Sequence, residues 1–553
     1  MNKLYLISFF LFTGLTTRAQ WKDNSAENNS ISRSTTISEI EPIAVSDAAG
    51  GTIVVFMDLN DHSLHAQKIT VDGTIAWGDS VSPVIISDAA SATSHHTAIA
   101  DGYGGVFISW SDHRNDLTFG DIYMQHINSD GVSLWTFNGI NVSNSPAFDD
   151  YESFLTRDGK GGVIVGWNWD DYDNSIQVMA QRLDADGAIK WAQDGIYVTD
   201  AYGFRWASSI VSDGNFGAVI LFTDTRNDPN GFDYYNYHQV NPTNLDVFAQ
   251  KFDSSGNYVW GSDATPVCTA ISNQTAAGAN STVTDANGAL FIFNDARNDL
   301  PDAGGAPTNI DIYSQRFNNA GVRQWVANGL PVTLSPGNQS IKSTMADGLG
   351  GVVAAWEDEN GKIYSQRMLV NGIASWTTNG VLISGAADYS YNPRLLRDTA
   401  KSTFMYLFEA QGAAKYLKAQ KLSLAGALQF PASGAMVCNA TDAYPSAPRP
   451  VRSDNGAIIV AWEDYRNTAS APDIYGSKLL EDGQLEATYI STTNGNWDYP
   501  GTWVGAIVPP ADANVIIRNS VTITGNATCK SVKIERPSGQ VTVKTGVKLT
   551  ITN

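Results

Sequence analysis

The side chains best equipped for chemistry in this chain recur as a phrase. Asp112-His-Arg114-Asn115-Asp116, Asp224-Thr-Arg226-Asn227-Asp228, Asp295-Ala-Arg297-Asn298-Asp299 and Asp464-Tyr-Arg466-Asn467 share one pattern, with reduced forms at Asp58 and Asp358. An Asp and an Arg two residues apart can pair with each other or grip a ligand. Asp and Asn also favour turns, because their side chains bond nearby backbone. A catalytic centre needs one asymmetric constellation, so a cluster present in several copies is expected to be scaffold. The period breaks in two adjacent copies, where 229–245 and 300–309 are inserted. The first insertion carries Tyr234, Tyr235, Tyr237 and His238 beside Asp224 and Arg226, flat rings with hydrogen-bonding tips suited to a sugar or a protein partner. These six residues form the ligand site expected from the sequence, on a lip made by neighbouring loops. No Gly-x-Ser-x-Gly elbow, His-Glu-x-x-His or phosphate loop occurs, so neither catalytic residues nor metal ligands are assigned. No cofactor is expected, although the acidity leaves room for a divalent cation such as calcium.

The elements that must position these residues repeat as well. Asp101-Gly-Tyr-Gly-Gly-Val-Phe-Ile-Ser-Trp110, Asp158-Gly-Lys-Gly-Gly-Val-Ile-Val-Gly-Trp167 and Asp347-Gly-Leu-Gly-Gly-Val-Val-Ala-Ala-Trp356 are the clearest starts, and weaker ones begin at Asp47, Asp213, Asp285, Asp398 and Asp454. Each unit holds four strand-like segments, with Asp72-Gly73, Asp130-Gly131 and Asp186-Gly187 as hairpin pairs. Four antiparallel strands in roughly 50–70 residues, without a helical period, predict a blade of a β-propeller. Eight starts with an incomplete last unit leave seven or eight blades open. The segment Ser34–Ile40 could supply the missing outer strand, since an unclosed ring exposes a strand edge.

Three further recurrences are expected to be structural. An aromatic closes strand two (Phe56, Trp110, Trp167, Phe222, Phe293, Trp356, Phe408, Trp462), and a second follows the hairpin (Trp77, Trp135, Trp191, Trp260, Trp325, Trp376, Phe430). Both suit the packing between blades. Strand three carries Gln67, Gln125, Gln181, Gln250, Gln315, Gln366 and Gln420, half-buried amides expected to satisfy backbone groups between blades. Cys268 and Cys438 occupy equivalent places in separate units, and are expected as buried small residues rather than a disulfide.

The phrase Asp-Ile-Tyr-x-Gln-Arg followed by Gly-x-x-x-Trp-x-x-Asn-Gly-x-x-Val, fullest over Asp311–Val332, resembles repeats in large secreted proteins of Bacteroidetes-type bacteria. That resemblance covers most of 40–490 and implies an architecture and the type IX secretion route rather than an activity. No sorting domain is visible. The Gly-x-x-x-Trp turn is similar in part to the Asp-box of sialidase-type propellers. Its Asp stands directly before Gly, however, and no sialidase arginine triad can be placed.

Residues 1–19 join a basic start, a short apolar core and small residues at Thr17 and Ala19, the pattern of a secretory signal peptide. Residues 20–39 follow as an N-terminal segment able to close the ring, then the propeller repeats over 40–490. Over 491–553 short β runs about ten residues apart suggest a short β-solenoid or β-sandwich-like module. Its Asn-Trp, Trp and Val-Pro landmarks resemble modules of the same secreted proteins, which implies that the module is truncated. A net charge of -21 disfavours nucleic acid and anionic membrane as partners. No transmembrane segment is expected. The expectation is therefore a secreted or cell-surface monomer that binds or adheres to an extracellular glycan or surface protein. The alternative is a carbohydrate-active hydrolase with carboxylates at the propeller channel.

Overall fold

The strand pattern closes into eight four-stranded antiparallel blades. The computed structural model describes residues 21–553 apart from 34–37, 89–92, 117, 145–147, 171–175, 202, 229–242, 277–281, 286–287, 300–306, 413, 441, 468–470, 487, 505–506, 512, 536 and 553. In blade two, Thr93–Ala100, Val106–Asp112, Asp121–Ile127 and Ile140–Asn141 pair in chain order. Blades one and three to seven follow the same order, and blade five divides its first strand into Gln274–Ala276 and Thr282–Asp285. First strands of successive blades touch one another around the whole ring, from Glu39–Ser46 to Ser446–Arg452 and back. They therefore line the centre, and the short fourth strands form the rim.

Blade eight is completed from the other end of the chain. Asn29–Ser32 pairs antiparallel with Asp473–Leu479, placing Ser30 opposite Tyr475. The closing strand is thus upstream of the expected Ser34–Ile40, whose residues Glu39 and Ile40 instead open the first strand of blade one. The local chemistry explains the choice. Strand three of blade eight has Gly476-Ser477 where other blades have a side chain and the Gln, and a Cβ on Gly476 would lie 2.5 Å from the Ile31 side chain. Ile31 fills that space and is 1% exposed, while Asn28 Nδ2 donates to Ser477 Oγ (2.8 Å) and to the Val437 carbonyl (3.0 Å).

Repeated polar devices hold each blade. The Asp of the turn between strands one and two accepts the N–H four residues on, as in Asp101 with Gly105 (2.9 Å) and Asp347 with Gly351 (2.8 Å). Glycine is required there, because a Cβ on Gly105 would lie 2.3 Å from the Ile127 carbonyl oxygen. The same Asp pairs with a basic residue of strand three in blades one to six and eight: Lys68, His126, Arg182, Lys251, Arg316, Arg367 and Lys478. In blade seven the pattern shifts, with Asp398 bound by Arg452 and Lys421 by Glu481.

The second aromatic joins neighbours. Trp77, Trp135, Trp191, Trp260, Trp325 and Trp376 each donate Nε1–H to a carbonyl in the next blade's hairpin turn, from Ser129 to Leu424. The strand-three glutamines act differently from expectation. Each bridges its own blade: Gln366 Nε2 donates to the Thr377 carbonyl (2.9 Å), while its Oε1 accepts N–H from Arg367 and Trp376. The long side chain thereby ties strand three to the loop that crosses to the rim.

Glu39 is a polar strut at the seam, fully buried, accepting from Ser32 Oγ (2.6 Å) and from the Ile474 N–H (3.2 Å). Burial is the leading cause that pushes its carboxyl up to about 8, so the folded chain holds a proton there that the unfolded chain releases near 4.5. The stability from this proton is complete below about 4.5 and is lost as pH rises through about 8. We expect the melting temperature of Glu39→Gln, relative to wild type, to rise progressively from pH 5 to pH 9. Parallel curves over that range would refute the assignment.

The second unit comprises essentially residues 487–553. Thr488–Ile490, Asn514–Ile517 and Ser531–Ile534 pair in parallel, as do Gly495–Asn496, Ser520–Ile523 and Gln540–Val543, and Ala527–Cys529 with Leu549–Ile551. Parallel stacking of successive coils makes this a β-solenoid rather than a sandwich. Trp497 and Trp503 pack edge to face at 5.0 Å beside Val515, Ile517, Val521 and Ile523, which accounts for the two tryptophan landmarks.

Candidate functional site at the channel mouth

The repeated Asp-x-Arg-Asn turns are saturated by their own blades. Each Asp accepts the backbone N–H of its Arg: Asp112 with Arg114 (2.9 Å), Asp224 with Arg226 (2.7 Å), Asp295 with Arg297 (2.8 Å) and Asp464 with Arg466 (3.0 Å). Its other oxygen takes the guanidinium, which lies over a strand-three ring: Tyr123 (4.0 Å), Phe248 (3.9 Å), Tyr313 (3.9 Å) or Tyr475 (4.2 Å). The following Asn donates to the Asp that opens strand three, as in Asn227 to Asp246 (2.6 Å). Burial pushes the Asp246 carboxyl up to about 6 and raises Asp311 and Asp473 likewise.

Of the six residues singled out from the sequence, Asp224 and Arg226 sit in such a turn. Asp224 also accepts from Arg205 Nε (2.9 Å), and both of those side chains are fully buried. Tyr234, Tyr235, Tyr237 and His238 lie outside the described residues. Asp228 and Thr243, bonded at 2.9 Å, are the described flanks of that insertion. Cys268 and Cys438 are free and buried beside Arg297 and Arg466, and burial pushes both thiols up to about 12, which keeps them uncharged and poor nucleophiles.

A second repeated device lines the channel. In the seven blades described at that position the first strand bulges opposite the strand-two aromatic, with left-handed residues at Glu41, His95, Glu152, Asn392 and Ala447. A bulge frees backbone groups, and the side chain one residue beyond the previous blade's aromatic takes them up. Ser111 Oγ donates to the Asp150 carbonyl (2.6 Å), Asn168 accepts from Ala207 N–H (3.0 Å), Thr223 from Ala276 (3.0 Å) and Asn294 from Ile341 (3.3 Å). In blades six to eight this neutral set gives way to Glu357, Glu409 and Glu463. Glu357 accepts from Asn392 N–H (2.5 Å) and Glu463 from Glu41 N–H (2.7 Å), while Glu409 bonds the Ala447 backbone and Asn392 Nδ2 (2.9 Å).

The same sector carries the ring's unusual cations. Arg394 and Arg449 follow the bulges of blades seven and eight; the five other blades described at that position have Ile43, Thr97, Phe154, Ser209 and Ser343. Burial lowers both guanidinium values, and Arg394's charge helps push Arg449 down to about 10. Arg449 also acts electrostatically on buried His96 of blade two, which lies beyond blade one.

At the start of the blade-eight strand that carries Arg449 lies a depression of about 740 Å³, lined by Lys415, Asp442, Tyr444, Ser446, Tyr465, Arg466 and Asn467. Ser446 Oγ donates to Glu463 (2.9 Å), and the Lys415 ammonium lies 5.7 Å from the Tyr391 ring centre. Burial, with the neighbouring Glu409 charge, raises the Tyr391 phenol above its ordinary range. Tyr389 and Tyr444 are more than half exposed. The arrangement offers aromatic faces, hydroxyls and cations, while its glutamates are engaged by backbone N–H groups and by the side chains of Lys342, Asn392 and Ser446. Among the described residues no group of three or more His, Cys, Asp or Glu could hold a metal ion.

The shared turns are conspicuous in sequence because they repeat, whereas Arg394, Arg449 and the three glutamates are exceptions to a repeat. Aligning the units column by column and looking for the charged outlier is the signal that would have found them.

No family model matches the chain, and no curated protein matches it. Solved structures that resemble it include a protein of unknown function from Dyadobacter fermentans DSM 18053 (9% identity, 61% of this chain and 96% of that one, TM-score 0.36). A post-proline cleaving enzyme from Rickettsia typhi matches at 10% identity over 83% of this chain and 59% of that one, TM-score 0.41. A GH93 alpha-L-arabinofuranosidase of Fusarium graminearum matches at 11%, over 60% and 93%, TM-score 0.35. At these values the likenesses assign neither activity nor ligand. The chain is a β-propeller protein by its own strand topology.

Proposed function

We propose that this is a secreted, non-catalytic binding protein whose eight-bladed ring takes a glycan at the channel mouth of blades seven and eight. The carrying observation is asymmetry: nonrepeated Arg394 and Arg449 and exposed Tyr389 and Tyr444 gather in one sector, while the repeated charges are spent on scaffold. Tyrosine faces beside hydroxyls and cations match the ring faces and hydroxyls of a sugar. The leader-like residues 1–19 support export, and the repeat phrase supports the type IX route and a place outside the cell.

A hydrolase is the second reading, because Glu357, Glu409 and Glu463 stand in successive blades and burial raises the Glu409 carboxyl, as a general acid requires. Their engagement by backbone and Asn392 favours the binding role. Purified protein screened on a glycan array and against the same glycans for released reducing ends should bind without releasing product. Steady release of reducing sugar, or an absence of glycan binding, would overturn the proposal.

A further inference from the structure

The guanidinium groups of Arg394 and Arg449 have no hydrogen bond or ion pair among the described residues, and Arg394 Nε and Arg449 Nη1 are buried atoms without a partner. Leaving a buried charged donor unsatisfied is costly, and native chains seldom carry two side by side without a use. The nearest carboxylates, Glu357, Glu409, Glu463 and Glu41, act on these arginines electrostatically without closing a salt bridge. Three of them instead bond backbone or Asn392, and Glu41 lies 3.8 Å from His96 Nδ1. The guanidinium N–H donors are therefore left for something that enters the channel.

Resting on the binding role proposed above, we infer that Arg394 and Arg449 form a seat for the carboxylate of an acidic glycan, a chain of uronic-acid sugars. An arginine presents paired N–H donors in the plane that a carboxylate matches. Two from adjacent blades can grip one such group. A cluster of cations alone would fit any anion. The neighbouring surface narrows the class: the Tyr389 and Tyr391 rings lie 6.1 Å apart, and Tyr444 and Tyr465 line the depression at the start of the blade-eight strand that carries Arg449. A sugar chain can place one ring on these faces while its carboxylate reaches inward. The chain's net negative charge disfavours long polyanions held by charge alone, so recognition needs the seat and the aromatic faces together.

The test uses the full chain and two probes, an oligogalacturonate and the same oligosaccharide with its carboxyls reduced to alcohols. Titration calorimetry should give binding of the acidic probe at least tenfold tighter than the reduced one. Arg394→Gln and Arg449→Gln should each remove about tenfold of that affinity, and the double variant should bind the two probes equally. Arg449→Lys should recover part of the loss, because it restores charge without the fork. Thermal unfolding checks that the variants fold, and melting equal to or above wild type is expected, since neither arginine is bonded to the scaffold and each carries an unsatisfied buried donor. Equal binding of both probes by wild type would overturn the carboxylate seat and leave glycan binding standing. Binding of neither would overturn both. Displacement of the acidic probe by a poly-glutamate peptide at lower concentration than by free oligogalacturonate would assign the seat to a protein partner, and overturn the inference.

Discussion

Ile31→Asp should lower the stability of the ring by about 3–5 kcal/mol, the range for a fully buried aliphatic side chain lost together with the burial of a charge. Ile31 is the apolar centre of Asn29–Ser32, whose pairing with Asp473–Leu479 joins the two ends of the propeller. A carboxylate there would face the space over Gly476 with no cation supplied. If the strand detaches, the edge of Asp473–Leu479 is exposed and the closing contact between blades eight and one loses its outer support. We expect an earlier urea midpoint and early proteolysis within 473–486. Asn28→Ala, which removes only the bonds to Ser477 and Val437, should cost about 1 kcal/mol. An Ile31→Asp variant within 0.5 kcal/mol of wild type would show that the ring does not depend on its N-terminal strand.

Asp224→Ala should be comparably severe, about 3–5 kcal/mol, because it removes one partner of a buried pair and strands the other. Arg205 is fully buried, bonded through Nε to Asp224 and through its terminal nitrogens to Gln177 and the Ala201 carbonyl. Asp224 also holds Arg226 through backbone and side chain. Asp224→Asn, which can still accept the Arg226 N–H, should cost less. The same variants separate scaffold from site. Protein that remains folded after Asp224→Asn should bind glycan with unchanged affinity, although Asp224 and Arg226 were the charged members of the site expected from the sequence. Equilibrium urea unfolding and calorimetric titration provide the two readouts.

The contrast between Asp224 and Arg449 shows what the sequence made legible. Architecture is written in repetition: the turn Asp and the strand-two aromatic mark every blade, and the hairpin Trp marks the first six, because every blade solves the same packing problem. The propeller follows from those marks, while its blade number, seven or eight in the sequence, is fixed at eight only by the closing strand Asn29–Ser32. The closing strand was misplaced by a few residues because Asn29–Ser32 is only four residues long, and its partner's Gly476-Ser477 becomes informative only once the two ends meet. The glutamines were recognised as structural but placed between blades, since spacing does not say whether a side chain bends along its own sheet. The channel-mouth residues were passed over for a different reason. Arg394 and Arg449 lie 55 positions apart in blades seven and eight, and what distinguishes them is that neighbouring blades carry no charge there. The first-strand bulge that presents them leaves no motif of its own, because residues as different as Glu41, His95 and Ala447 adopt it.

The most direct test of the account is hydrogen exchange across the whole chain with and without saturating acidic oligosaccharide. Binding at the mouth of blades seven and eight should slow exchange in peptides covering 389–394, 409–417, 442–449 and 463–467, and leave 224–245 unchanged. Protection centred on 224–245, with no change around Arg394 and Arg449, would contradict it.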